Sequence, residues 1–141
     1  MKILEDIGLS TQKLVPSLCP LLHNDKKLSI LKGIRTECNI ELYINNKKIY
    51  NEYGEIQFNE NSISGIPVLN ISFLSCEYID NSDVYIKIDF IHDEKLDLHK
   101  RAKILSYKYI RDFLCGVVDN KISKIIYDNL NIKDIDKKHV S

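Results

Sequence analysis

Apolar and polar residues alternate most cleanly through Ile40-Glu41-Leu42-Tyr43-Ile44 and again through Lys47-Lys48-Ile49-Tyr50, with Asn45-Asn46 between the two runs. Period-two patterning on both sides of a dipeptide that tolerates positive φ predicts a β-hairpin. Tyr53-Gly54-Glu55 punctuates the returning strand, and Ile56 and Phe58 continue it as a further short strand or the far side of a bulge. A second strong strand is expected over Val84-Tyr85-Ile86-Lys87-Ile88-Asp89-Phe90, after an Asn81-Ser82 turn, with Val84, Ile86, Ile88 and Phe90 on one face. Ile63 to Cys76 fits neither period well; a helix opened by Ser64, with Pro67 in its first turn, accounts for it best.

From about Lys95 the spacing changes. Leu98, Ala102, Leu105, Tyr109, Phe113 and Val117 recur every three or four residues, predicting one amphipathic helix that ends near Gly116. Asp119 or Asn120 then caps a second helix carrying Ile122, Ile125, Ile126 and Leu130. At the other end, Ile3, Leu4 and Ile7 have helical spacing with Gly8 as a C-cap. Lys13-Leu14-Val15 runs into Pro16 and Pro20 as an extended edge strand, with Leu18, Leu21 and Leu22 on its apolar side. Strands first and helices last predict an α+β fold: a small antiparallel β-barrel or sandwich with a C-terminal helical subdomain. Residues 1–92 form the β part with one short helix near 64–76, and residues 93–141 the helical part.

At 141 residues the chain suffices for one domain that buries roughly two-thirds of its unfolded surface. Its 20 basic and 20 acidic residues cancel, which leaves no electrostatic footprint for nucleic acid or an anionic membrane. No apolar run approaches the ~20 residues a bilayer requires, and Met1-Lys2-Ile3-Leu4-Glu5-Asp6 does not make a secretory signal, so a cytoplasmic location is expected. Cys19, Cys38, Cys76 and Cys115 lack metal-ligand spacing and are expected to be free thiols.

Candidate chemistry is sparse. Gly8, Gly33, Gly54, Gly65 and Gly116 are isolated, so no glycine-rich loop is available to hold a pyrophosphate. His92 and His99 on one helix would stand roughly 10 Å apart along its axis, too far for one ion, and His23 and His139 are remote in sequence, so no metal site is expected. Ser64-Gly65 lacks the glycine at position 62 that a hydrolase elbow needs, and a capping or turn role fits Ser64 better than a nucleophile working with His92 or His99. Asp93-Glu94-Lys95-Leu96-Asp97 is assigned to capping of the following helix rather than to metal binding. Glu55, beside Gly54, is aimed at a ligand or an interface or else faces solvent; Arg35 after Gly33 pairs with a substrate carboxylate, a partner domain or a neighbouring surface acid.

An ordered set of short motifs adds to this reading: Pro16-Ser17-Leu18-Cys19-Pro20-Leu21-Leu22, Leu31-Lys32-Gly33-Ile34-Arg35, Gly54-Glu55-Ile56-Gln57-Phe58, Ile63-Ser64-Gly65-Ile66-Pro67, and Phe113-Leu114-Cys115-Gly116 with Lys121-Ile122. In order and spacing they resemble the inserted domain of the aminoacetone-oxidase-like, or BaiN-like, NAD(P)/FAD-dependent oxidoreductases. Leu9, Asn59 and Ser62 depart from that pattern, where a histidine, a threonine and a glycine are usual. The resemblance implies a parent flavoprotein in which a two-part Rossmann-like FAD domain is interrupted by this insert. It implies that FAD belongs to the full-length parent and that none binds this chain alone, which is then inert by itself. The partner is the Rossmann-like domain of the same polypeptide, and both ends of the chain read as cuts. Arg35, Gly54, Glu55, Phe58, Ser64, Gly65, Ile66 and Pro67 are then the residues facing the cleft or the domain interface. The alternative is a free-standing small β-barrel that acts as a binding or protein-interaction module.

Overall fold

The computed structural model describes residues 2–10, 14–91, 96–105 and 108–132. Five strands, β1 (Leu21–Leu22), β2 (Arg35–Ile44), β3 (Lys47–Phe58), β4 (Ser62–Ser64) and β5 (Val84–Asp89), form one antiparallel sheet in the order β1-β4-β3-β2-β5. The sheet curls into a half-barrel, so the fold is α+β as the element pattern predicts. Helices α1 (Lys2–Asp6), α2 (Lys26–Ser29), α3 (Ile66–Tyr78), α4 (Leu98–Ile104) and α5 (Asn120–Asn129) complete it.

The hairpin forms where the alternation places it. Asn45 and Asn46 take φ of 50° and 64°, the left-handed pair that a tight two-residue turn between twisted strands requires. Asn45 also ties β5 to this turn: its N–H donates to the Asp83 carbonyl at 2.8 Å, and its side-chain oxygen accepts the Asp83 N–H at 3.0 Å. Strand β3 runs unbroken through Gly54, which pairs with Cys38, and the irregularity lies instead between Leu42 and Tyr43 of β2. Glycine at 54 therefore leaves the ladder intact.

Period two sorts β2 into buried Cys38, Ile40, Leu42 and Ile44 and outward Arg35, Glu37, Asn39, Glu41 and Tyr43. Ile56 and Phe58 of β3 join the inner face, α3 lays Val68 and Ile71 over it, and α5 sends Ile122 and Ile125 into the same cluster. Full burial of each such side chain stabilises by about 1.5–3 kcal/mol. Cys38 lies in this core; burial first, and the nearby Asp89 carboxylate second, push its thiol up to about 12. All four cysteines are free thiols.

Three elements differ from the sequence expectation. Leu14 and Val15 are in no strand, and Lys13 lies outside the described residues; the edge strand is Leu21–Leu22, paired through Leu21 to Ile63. The segment from Ile63 to Cys76 is divided: Ser64 closes β4, and α3 starts one residue later than a Ser64 cap implies, from Gly65. The apolar stripe from Leu98 to Val117 is not one helix, because α4 stops at Ile104 and is followed by a 3-10 turn at Ile110–Asp112 and further turns. Tertiary hydrogen bonds hold that break. Arg101 donates from Nε to the Phe113 carbonyl at 2.6 Å and from Nη2 to the Cys115 carbonyl at 2.7 Å. Tyr127 of α5 donates its hydroxyl to the Ile110 carbonyl at 2.8 Å and accepts the Leu114 N–H at 3.2 Å. Asp97 caps α4 through the Lys100 N–H at 2.9 Å, and His92 to Lys95 lie outside the described residues. Among the described residues no helix is long and apolar enough to cross a membrane.

Candidate functional site

The start of α3 is pressed against the middle of β3, and this contact builds a cleft. Gly65 precedes the helix with φ of 110°, and a Cβ there would lie against the Glu55 carbonyl oxygen and 2.8 Å from Ile56 Cα. A Cβ at Gly54 would stand 2.8 Å from Cγ of Pro67, the buried proline of the first helical turn. Only glycines allow strand and helix to approach this closely. Asn70 fastens the same pair one turn on, donating to a Glu52 carboxylate oxygen at 2.8 Å.

The resulting cleft has a volume of about 360 Å³, and Arg35, Gly54, Glu55, Gly65, Ile66 and Pro67 all line it. Six of the eight residues singled out from sequence therefore meet in one place. Phe58 is not among them: it is fully buried in the core, its ring 6.2 Å from that of Phe90. Ser64 sits at the end of β4 with its hydroxyl 3.2 Å from Asn59 Nδ2, so it is a turn-fixing residue and not the helix cap. Glu52, Tyr53 and Gln57 also line the cleft and were not singled out. For Tyr53 and Gln57 the signal is the alternation of β3 itself, which puts them on one face with Glu55; Glu52 is of the opposite parity and is brought in by its contact with Asn70 of α3.

Charge at the rim is mixed. Arg35 Nη1 and Glu55 Oε1 are 3.7 Å apart across β2 and β3, with 63% and 57% of their side chains exposed. Such an exposed pair is worth about 0–1 kcal/mol, so either group is free to take another partner at little cost. Tyr53 donates its hydroxyl to Glu37 at 3.0 Å, and that hydrogen bond, before burial and the Glu37 charge, raises the phenol pKa above its usual value. The site thus offers a guanidinium, carboxylates, a phenol and an apolar corner at Ile66, which is 70% exposed. These are recognition groups for a polar molecule or a facing protein wall.

Gly54 and Gly65 do not form a phosphate cradle. A phosphate cradle leaves the space beside its glycines open for the ligand. Here the space beside Gly54 and Gly65 is filled by the Pro67 ring and by the backbone of Glu55 and Ile56.

Two comparisons bear on this arrangement. The family model described as HI0933-like protein barrel and H2TH domain matches residues 15–141. The curled antiparallel sheet agrees with the barrel in that description. The 3-dehydro-bile acid delta(4,6)-reductase of Clostridium scindens is 22% identical to this chain over 122 residues, covering 82% of this chain and 30% of the relative. The chain therefore spans about 30% of the length of that curated relative.

Proposed function

The chain belongs to the HI0933-like protein barrel and H2TH domain family, and from that premise we propose that it serves as the substrate-side body of an FAD-dependent oxidoreductase. In this reading FAD and its Rossmann-like domain are supplied by other parts of the same cytoplasmic polypeptide, and this chain shapes the wall that faces them. Neither nucleic acid nor a membrane is a partner. The observation that carries the reading is the convergence of Arg35, Gly54, Glu55, Gly65, Ile66 and Pro67, drawn from two strands and a helix, on one cleft. Further support is that the relative sharing this segment is named a reductase and is much longer than the chain. Arg35 and Glu55 would orient the substrate or the facing domain, and Ile66 would exclude water beside them.

Titrating FAD with the purified chain and following flavin fluorescence tests the division of labour. No stoichiometric quenching is expected, and tight one-to-one quenching would refute it. The complete reading frame that encodes these residues should yield a yellow protein that oxidises NAD(P)H. In that protein Arg35→Ala and Glu55→Gln should lower kcat/KM by about tenfold while flavin content stays unchanged. Unaltered kinetics in both variants would take the cleft out of the mechanism.

A further inference from the structure

Two of the four free thiols are brought to one place by the fold. The chain from Leu14 to Pro20 is in neither strand nor helix, and Leu18 within it takes φ of 52°, a left-handed conformation that a leucine rarely adopts. Such a conformation persists where its surroundings hold it, and here the next residue is fastened to α3. The Cys19 N–H donates to Ser72 Oγ at 3.2 Å, across 53 positions of sequence, and the Ser72 hydroxyl donates to the Leu69 carbonyl at 2.7 Å. Cys76 follows Ser72 by one helical turn, so it lies on the face of α3 that anchors Cys19. The two thiols sense each other: after burial, the neighbouring Cys19 is what holds the Cys76 thiol above its usual pKa. Both residues are half-buried on the wall of an open cleft of about 950 Å³ between the sheet edges β1 and β5, within reach of a small reagent. The other two cysteines differ from them. Cys38 is sealed in the core, and Cys115 is exposed on a separate cleft that no other cysteine lines.

We propose that Cys19 and Cys76 are a reversible disulfide pair, oxidised by small disulfides of the glutathione class, whose bond ties the segment leading into β1 to α3. One cysteine, as its thiolate, attacks a sulfur of glutathione disulfide, forming a mixed disulfide and releasing one glutathione thiolate. The second cysteine, likewise as its thiolate, then attacks the protein sulfur of the mixed disulfide and expels the second glutathione. Two protein thiols are oxidised, one external disulfide is reduced, and the two cysteine protons pass to the glutathione thiolates. Excess reduced glutathione runs both steps backwards. The consequence is mechanical. Strand β1 is an edge of only two residues, and a covalent tie just before it holds that edge to the helix whose start shapes the Arg35 cleft. Closing so long a loop stabilises chiefly by restricting the unfolded chain. Nothing in this chemistry depends on the oxidoreductase reading.

Treating the whole chain with glutathione disulfide, then mapping peptides by mass spectrometry, tests the pair. The peptides of Cys19 and Cys76 should appear joined, about 2 Da lighter than their sum. Cys115, exposed and without a second thiol, should instead keep a glutathione, and Cys38, its thiol pushed up to about 12, should stay unreacted. Cys76→Ser should retain glutathione on Cys19, because no second cysteine is there to expel it, and Cys19→Ser should retain it on Cys76. Oxidation should raise the melting temperature of the unaltered chain by about 5–10 °C, and of neither serine variant. Hydrogen exchange at the His23 amide, which donates to the Asn61 carbonyl beside β1, should slow several-fold. A lasting glutathione on Cys19 or Cys76 in the unaltered chain, both thiols as unreactive as Cys38, or a link formed only between chains would overturn the pair. An unchanged melting temperature and unchanged exchange after linkage would overturn its role as a tie.

Discussion

A methyl group added at Gly65 has nowhere to go: its neighbours are the Glu55 carbonyl and Ile56 Cα, both backbone, and the φ of 110° is one that L side chains rarely adopt. Gly65→Ala should therefore cost about 3 kcal/mol or more in unfolding free energy, read as a lowered urea midpoint. Gly54→Ala meets only the Pro67 ring, which can tilt, and should cost about 1–3 kcal/mol. An unshifted midpoint in Gly65→Ala would mean that α3 does not begin against β3. Both glycines were visible in the sequence as members of short motifs, but their task was not. Gly65 is glycine because of a residue ten positions earlier, and no local pattern encodes that contact. The same limit left the role of Ser64 open between cap and turn: it has a helix-capping residue type shortly before Pro67, yet its hydroxyl oxygen accepts the Asn59 side-chain amide and Gly65 precedes the helix.

At the scale of elements, the legible parts were those whose own residues determine them. The Asn45-Asn46 hairpin, the alternation of β5 and the Asp119 cap of α5 all carry their instructions locally. The break between α4 and α5 does not, since apolar spacing continues through it and Gly116 is the first strong breaker. Arg101 and Tyr127 impose it from 12 to 17 residues away. Tyr127→Phe would leave the Leu114 N–H, on a residue only 3% exposed, without its acceptor, at a cost of about 1–3 kcal/mol. Arg101→Lys should also destabilise, because an ammonium on a flexible stem does not span two carbonyls as the guanidinium fork does. Thermal unfolding measures both, and faster hydrogen exchange at the Leu114 amide localises the first. Unchanged exchange in Tyr127→Phe would show that the turns hold themselves.

For the molecule as a whole, the order of elements divides the chain into strands and then helices, but the core does not respect that division. Ile40, Leu42, Ile56 and Phe58 of the sheet share one apolar cluster with Ile122 and Ile125 of α5, and Val118 and Ile126 pack against it. Which face a helix covers is a tertiary fact, so the sequence shows that α5 is amphipathic and not that the sheet depends on it. Removing everything after Ile91 strips away these side chains. At about 1.5–3 kcal/mol for each fully buried one, Ile122 and Ile125 alone account for about 3–6 kcal/mol, and the half-buried Val118 and Ile126 add to it. That is comparable to the whole stability of a marginal domain. The fragment 1–91 should therefore bind anilinonaphthalene sulfonate and show no cooperative urea transition, whereas the 141-residue chain should unfold in a single step by both circular dichroism and tyrosine fluorescence. A cooperative transition in the fragment would establish that strands and helices are separable bodies. The cleft at Arg35 and Glu55, built from β2, β3 and the start of α3, would then outlive the helices that follow Ile91.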